Sequence, residues 1–277
     1  MIKSPLNYIG GKYKLLPQIL PLFPDNIDTF VDLFSGGLDV ALNVQAEHIV
    51  CNDINCYVIE LFEYFQQNKI EELIDGIYQV IDQYSLSKQN KSGFLSLRDD
   101  YNNSHFPLHL FLLICYGFNH QIRFNNQGEF NNPFGRNRSS YNANIEKNLR
   151  QMHTRLQNIE FRMENFKNFD TAFMRHNDFL YADPPYLITC GTYNDGKRGF
   201  EGWTEKDDMA LFGQLDELNN RGIRFALSNV IRHKGAENIQ LKEWASKYVI
   251  HYLEKSYANS NYQAHTTETL EVIVTNY

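Results

Sequence analysis

The residues whose types and order could do chemistry are Asp183-Pro184-Pro185-Tyr186, directly after the apolar run Phe179-Leu180-Tyr181-Ala182. Two prolines after a buried strand stiffen the chain and remove two backbone donors. The Pro184 carbonyl is left to accept, and the Asp183 carboxylate accepts beside it. Together they can hold both hydrogens of an NH₂ group and aim its nitrogen lone pair at a sulfonium methyl. Tyr186 adds a flat face on which a planar base can stack. Positioning of this kind can take several kcal/mol off a barrier. The plainer reading is a Pro-Pro turn at a strand end.

A second constellation lies upstream, at Phe34-Ser35-Gly36-Gly37. A glycine turn between a strand and a helix lets backbone approach a nucleotide-like ligand. An acid at the end of the next strand, here Asp53, can accept from ribose hydroxyls. Gly36 and Asp53 are 17 residues apart, near the ~20 expected of such a unit. The full G-x-G-x-x-G is absent, so the pattern alone does not separate a nicotinamide dinucleotide from S-adenosylmethionine. A turn glycine and a surface aspartate is the bland alternative.

These residues need a sheet to position them. Thr29–Phe34 reads as a buried strand, followed by the glycine turn, a helix from Val40, and the short strand His48–Cys51. Further strands are expected at Ile159–Met163, Phe179–Ala182 and Arg224–Ser228. Tyr248–Tyr252 and Leu270–Val274 read as an antiparallel pair at the end of the chain. Helices are expected from Lys12 to Leu20, Cys56 to Tyr84, Leu108 to Tyr116, Ile145 to Leu156 and Thr204 to Asn219, with Thr204 as cap and Asp207 at the third position. The fold class is α/β: a Rossmann-like, doubly wound sheet with a mainly helical insertion carrying a hairpin loop. The expected division is residues 1–55 and 156–277 as a discontinuous catalytic and cofactor-binding domain, with 56–155 inserted.

The 277 residues carry a net charge of −7, which taken alone disfavours a polyanionic partner. The distribution is uneven, however. Between Asn119 and Arg155 the cations are Arg123, Arg136, Arg138, Lys147, Arg150 and Arg155, against only Glu129 and Glu146. A basic island on an acidic body suits nucleic acid; an ordinary solvated face is the alternative. Within it, Asn125-Asn126-Gln127-Gly128 reads as a hairpin turn between Ile122–Phe124 and Glu129–Asn131. Cys51, Cys56, Cys115 and Cys190 show no C-x-x-C spacing and read as reduced thiols, not a metal site. His153, His233 and His265 stand alone and read as non-catalytic. No apolar run approaches the roughly 20 residues of a membrane helix, and residues 1–5 lack a signal-peptide core. A cytoplasmic protein is the expectation.

In their shared order these stretches resemble the Dam-type (class alpha) DNA adenine-N6 methyltransferases, over nearly the whole chain. Asn7–Tyr13 is similar to the family's K-W-x-G-G-K segment, which implies that Tyr8 and Lys12 contact the methionine end of S-adenosylmethionine. Phe30–Gly37 resembles F-x-E-P-F-x-G-G-G, with Leu38 in place of the third glycine. Asn52–Asn55 matches N-D-x-N, and Glu129–Arg136 resembles E-F-N-x-P-F-G of the target-recognition region. The resemblance implies cofactor contacts from Tyr8, Lys12, Phe34, Gly36, Asp53, Ile54, Asn165, Phe166 and Asp183. Catalysis falls to Asp183, Pro184, Pro185 and Tyr186. DNA contacts fall to Asn119, His120, Gln121, Arg123, Asn132, Arg136 and Arg138, with Arg123 at a base-reading position. His120, Gln121 and residues 137–141 depart from the family where relatives read bases, so no recognition sequence carries over.

The expected partner is double-stranded DNA, with a cognate restriction endonuclease as a genetic and not a physical partner. The target adenine would flip out of the helix for direct in-line transfer. The rival readings are an RNA or guanine-N2 methyltransferase using the same Asp-Pro-Pro-Tyr loop, and a catalytically silent DNA-binding relative.

Overall fold

The computed structural model describes residues 1–189, 202–254 and 269–277; Cys190 and His265 lie outside these. The strands are β1 (Thr29–Asp32), β2 (His48–Asn52), β3 (Ile159–Arg162), β4 (Phe179–Ala182), β5 (Arg224–His233), β6 (Ala236–Glu237), β7 (Val249–Leu253) and β8 (Leu270–Thr275). Successive side chains of a strand point to opposite faces, and here both faces are buried. Phe30, Ile49, Cys51, Phe179 and Tyr181 enter one hydrophobic cluster. Val31, Val50, Leu180 and Ala182 enter the other. Two-sided burial explains why these strands read as continuous apolar runs.

The sheet order is β3-β2-β1-β4-β5-β8-β7, with β6 paired to β5. β3 to β5 run parallel through β1. β8 is antiparallel between β5 and β7, as the alternation at the chain's end leads one to expect. From β1 the chain winds outward to β2 and β3, then returns to β4 on β1's other side. That reversal is a topological switch point, and ligands bind outside the carboxyl ends of the strands there. Asp32 closes β1, Asp53 comes directly after β2 and Asp183 directly after β4, so all three acids stand at one edge of the sheet.

The helices are α1 (Leu16–Ile19), α2 (Cys56–Gln67), α3 (Ile70–Gln83), α4 (Lys91–Ser104), α5 (Pro107–Tyr116), α6 (Ala143–Leu156), α7 (Glu205–Asn220) and α8 (Ile239–Ala245). One sheet face packs against α2, α5 and α6 through Val58, Phe62, Phe65, Phe111, Leu149 and Met152. α5 is buried at every position from Leu110 to Tyr116, as befits a helix apolar all round. The other face packs against α7 and α8 through Leu211, Phe212, Leu215 and Leu241. The Thr204–Asp207 capping box forms as expected. The first hydrophobic cluster runs without a break from the sheet through residues 56–155. Among the described residues no helix is long and apolar enough to cross a membrane.

Four local expectations are corrected. The Lys12–Leu20 helix shrinks to α1 and a 3₁₀ turn, Leu20–Leu22; Pro21 lacks the N–H that would continue it. Residues 56–84 form two helices, because Asn68 is extended and its amide binds the Tyr64 carbonyl at 2.7 Å. The polar stretch before Leu108 holds α4, which buries only Phe94, Leu97 and Tyr101 and so carries little apolar signal. The hairpin turn at residues 125–128 forms as expected, with Phe124 and Phe130 bridged antiparallel and the Asn125 N–H donating to the Glu129 carbonyl at 2.8 Å. The Asn125 side chain knits it by accepting from the N–H groups of Gln127 and Glu129.

The fourth correction concerns the segment after the glycines, where the pattern predicts a helix. It is a run of turns beginning at Leu38. Leu38 has φ +67°, which costs a non-glycine residue roughly 1 kcal/mol or more. Its side chain is fully buried in the core and is not among the cleft-lining residues. A buried leucine contributes about 3 kcal/mol, so burial outweighs strain. Leu38→Gly is therefore expected to lower stability by about 2 kcal/mol, read from the midpoint of urea unfolding. An unchanged or raised midpoint would show that strain dominates.

Candidate active site

A cleft of about 840 Å³ opens at the switch point. Its walls are the Tyr8–Lys12 segment, the Asp32–Gly37 turn, Asp53 and Ile54, the Glu164–Lys167 turn, the Asp183–Tyr186 loop and the start of α7. Every residue expected to contact a cofactor lies on this lining. Ile122, beside the exposed Arg123, lines it too.

The glycine turn is built for close approach. The Gly36 N–H donates to Asp53 Oδ2 at 2.9 Å, and the Asn55 N–H donates to Asp53 Oδ1 at 2.8 Å. Asp53 thus fixes the turn and the entry to α2 together. The ring of Tyr8 lies on the glycines: a Cβ at Gly36 would stand 2.9 Å from Tyr8 Cε1. Asp39 Oδ2 takes the Tyr13 N–H at 3.2 Å and so ties the segment bearing Tyr8 and Lys12 to the turn. Phe34, Phe166 and Trp203 pack mutually with centroids 5.2 to 5.7 Å apart. The indole of Trp203 is held by Asp208 at 2.6 Å, and Asp208 by Asn238 at 3.0 Å. Asn165 Oδ1 accepts from the Lys167 N–H, which shapes the turn presenting Phe166.

The Asp183–Tyr186 loop meets Lys12. Lys12 Nζ lies 2.7 Å from Asp183 Oδ2 and donates to the Gly10 carbonyl at 2.9 Å. It also stands 5.1 Å above the Tyr186 ring. The Tyr186 hydroxyl reaches Asp183 Oδ1 at 2.8 Å, Ser228 Oγ at 2.9 Å and Glu271 Oε1 at 3.1 Å. One face of the Tyr186 ring, expected to be open for stacking, is thus covered by an ammonium group in this structure. Among the described residues nothing donates to the Pro184 carbonyl.

Burial sets the proton affinities here. It pushes Asp183 up, against the pull of Lys12 and of the Tyr186 hydroxyl. It pushes Asp32 well above the carboxylate range, with the Asp183 and Asp53 charges adding to the effect. Asp32 Oδ1 is buried with no hydrogen-bond partner.

The basic island resolves into two groups. Arg150 pairs with Glu71 at 2.7 Å and Glu146 at 3.1 Å, and Arg155 binds the Val44 carbonyl, so these two hold the fold. Arg123, Arg136 and Arg138 are exposed, and Arg138 lies 6.0 Å from the exposed Phe118 ring. Asn119 and His120 sit in a tight turn with φ near +53° and +54°, beside Gln121. The Asn7 amide reaches the Asn119 carbonyl at 2.9 Å and joins this turn to the cleft's N-terminal wall. Asn132, expected to face DNA, is 1% exposed. Its amide holds the Phe118 carbonyl at 3.1 Å, so it supports the turn from behind.

Sequence reasoning passed over Trp203, Ser228 and Glu271. Glu271 carried a signal, a lone acid inside an apolar strand, where a buried charge needs a partner.

The strand order defines a Rossmann-like α/β protein with an acid-rimmed cleft at its switch point. Residues 8–259 match the D12 class N6 adenine-specific DNA methyltransferases, and the chain belongs to that family. It is 50% identical over 280 residues to the type II methyltransferase M.FokI of Planomicrobium okeanokoites, covering 100% of this chain and 43% of that protein. The modification methylase StsI of Streptococcus sanguinis gives the same identity and coverage. The DNA adenine methylase of Escherichia coli (strain K12) is 27% identical over 256 residues, covering 90% of this chain and 86% of that protein. The chain therefore spans less than half the length of the first two relatives.

Proposed function

We propose that this chain transfers a methyl group from S-adenosylmethionine to N6 of adenine in double-stranded DNA. The observation that carries this reading is the acceptor pair at the cleft, the Asp183 carboxylate and the Pro184 carbonyl, on one stiffened loop beside Tyr186. The cleft's residues fit the cofactor. The orphaned Asp32 Oδ1 is placed to accept from a ligand's ammonium group. Gly36 and Gly37 leave room that a Cβ would fill. Phe34, Phe166 and Trp203 form an apolar wall for a purine, with Asn165 beside it; Asp53 and Ile54 flank the ribose position, and Tyr8 and Lys12 the amino-acid end. When bound, the cofactor supplies the electrophilic methyl.

The chain's own residues do the rest. Asp183 and the Pro184 carbonyl accept the two amine hydrogens and hold the nitrogen lone pair in line. Positive charge growing on that nitrogen meets the Asp183 carboxylate. Tyr186 and Pro185 shape the surface against which the extruded base lies. Residues 1–55 and 156–277 form the catalytic part and 56–155 the recognition part. In the latter, Arg123, Arg136 and Arg138 face phosphates or base edges, and Asn119, His120 and Gln121 present the reading turn, with Asn132 behind it. A cytoplasmic restriction–modification system, with its endonuclease encoded alongside, suits this activity.

The test is transfer from tritiated S-adenosylmethionine to unmethylated duplex DNA and to RNA in parallel, with the labelled nucleoside identified after digestion. N6-methyladenine in DNA is expected. Label confined to RNA, label as N2-methylguanine, or no label in any nucleic acid would overturn the proposal.

A further inference from the structure

We propose that Glu271 is a positioning residue for methyl transfer, the carboxylate that balances Lys12 and so leaves Asp183 free to act as an acceptor. This rests on the function proposed above. Glu271 interrupts the apolar β8 sequence Leu270-Glu271-Val272-Ile273-Val274 and is 4% exposed. A buried carboxylate is costly unless it is paired. Two of its partners are shared with Asp183: Oε1 stands 3.1 Å from the Tyr186 hydroxyl and 3.7 Å from Lys12 Nζ. β8 crosses the sheet beside β5, which supplies Ser228 to the same hydroxyl. Two strands of the sheet's antiparallel end thus reach into the loop after β4.

The electrostatics of the cluster give Glu271 its task. Lys12, 2.7 Å from Asp183, forms a neutral pair with it. In the transfer, the amine nitrogen forms its bond to the methyl carbon as the carbon–sulfur bond breaks. Positive charge passes from sulfur to nitrogen, onto the side where Asp183 lies, and one N–H proton then leaves past Asp183 to water. A neutral Lys12–Asp183 pair gives that charge little stabilisation. With Glu271 ionised, the three groups carry a net charge of −1, and the arriving charge is met. Asp32 does not supply this charge, because burial beside Asp183 and Asp53 favours its neutral form. Glu271 also competes for the single proton of the Tyr186 hydroxyl and for the ammonium of Lys12. Both also bind Asp183, and whatever share Glu271 takes leaves Asp183 the stronger acceptor.

The experiment compares wild type, Glu271→Gln, Lys12→Met and the double variant on duplex DNA at saturating S-adenosylmethionine. Binding of S-adenosylhomocysteine is followed by calorimetry. Glu271→Gln is expected to lower kcat about a hundredfold, the size of effect seen when one stabilising group is lost from a charged transition state. KM for DNA and the S-adenosylhomocysteine Kd should stay within about threefold, which a general loss of structure would not allow. The double variant restores the −1 charge through Asp183 alone, so its kcat should match or exceed that of Glu271→Gln. Equal kcat for wild type and Glu271→Gln overturns the inference while leaving the methyltransferase reading intact. Absence of N6-methyladenine with wild type overturns that reading itself. Should Glu271→Gln lose S-adenosylhomocysteine binding through misfolding, the double variant decides the matter. It keeps Asp183 as the one charged group of the three, and a kcat a further hundredfold below Lys12→Met overturns the inference.

Discussion

Asp183→Ala is expected to cut the single-turnover rate of methyl transfer by at least about a thousandfold, the scale of losing a charged group that meets transition-state charge. The loss has two sources. One acceptor for the target amine disappears, so the lone pair is no longer held in line. The carboxylate that faces the growing positive charge disappears as well, and the Lys12–Glu271 pair left behind carries no net charge to meet it. That lost charge makes Asp183 a larger contributor than the Pro184 carbonyl, which is neutral. The fold should persist, because Asp183 lies beyond the end of β4 and Lys12 keeps Glu271 and the Gly10 carbonyl as partners. Melting temperature and S-adenosylhomocysteine binding check that point. The wild-type pH profile gives an independent reading. Burial raises the Asp183 carboxyl above its ordinary value, and a protonated carboxyl is a weaker acceptor with no charge to meet the one growing on the nitrogen. The rate should therefore fall as pH drops through that raised value, sooner than an ordinary carboxylate would give. A rate that stays flat down to the ordinary carboxylate range, or an alanine variant within tenfold of wild type, would remove Asp183 from the chemistry.

The parts of the molecule legible in the sequence are those where local and tertiary demands coincide. β1, β2 and β4 are apolar runs because both sheet faces are covered, and each ends at the acid that rims the cleft. Asp53 and Gly36 could be paired from spacing alone, since one strand and one turn fix their distance, and the hydrogen bond between them forms. What stayed hidden depends on contacts far apart in the chain. Glu271 lies 88 residues after Asp183 and meets the loop only because β8 inserts between β5 and β7. Trp203 precedes a helix cap, and nothing local says that Phe34 and Phe166 will receive it. Asn132 sits in a motif of polar residues, yet Gly117 packs so closely against it that a Cβ there would stand 2.6 Å from its amide. α4 escaped notice because it buries one narrow stripe and leaves Ser, Arg, Asp and Asn on the rest. Leu38 shows the same limit in reverse: a departure from a glycine pattern looks like a change to the cleft, but the side chain turns into the core.

Gly36→Ala is expected to weaken S-adenosylhomocysteine binding by about a hundredfold or more while costing only about 1 to 2 kcal/mol of stability, the penalty for a side chain in left-handed backbone. Gly36 has φ +45°. An added Cβ would stand 2.9 Å from Tyr8 Cε1 and 3.0 Å from Cδ1, closer than such atoms approach. Either the Tyr8 ring lifts away or the turn shifts. If the ring lifts, the wall at the cofactor's amino-acid end moves. If the turn shifts, the Gly36 N–H leaves Asp53, and Asp53 loses one of the two backbone donors that aim it. Both routes damage the cleft and spare the core, so affinity should fall far more than stability. The chain's two tryptophans make the measurement direct. Trp203 lines the cleft, whereas Trp244, in α8, stacks on Phe212 of α7 at 4.4 Å. Intrinsic fluorescence should change as S-adenosylhomocysteine is titrated, and Trp203→Phe should abolish the change without displacing Trp244. An alanine variant that binds with wild-type affinity would mean that the ligand does not sit on this turn. The cleft's purine wall and its acids would then have to be assigned to a different occupant.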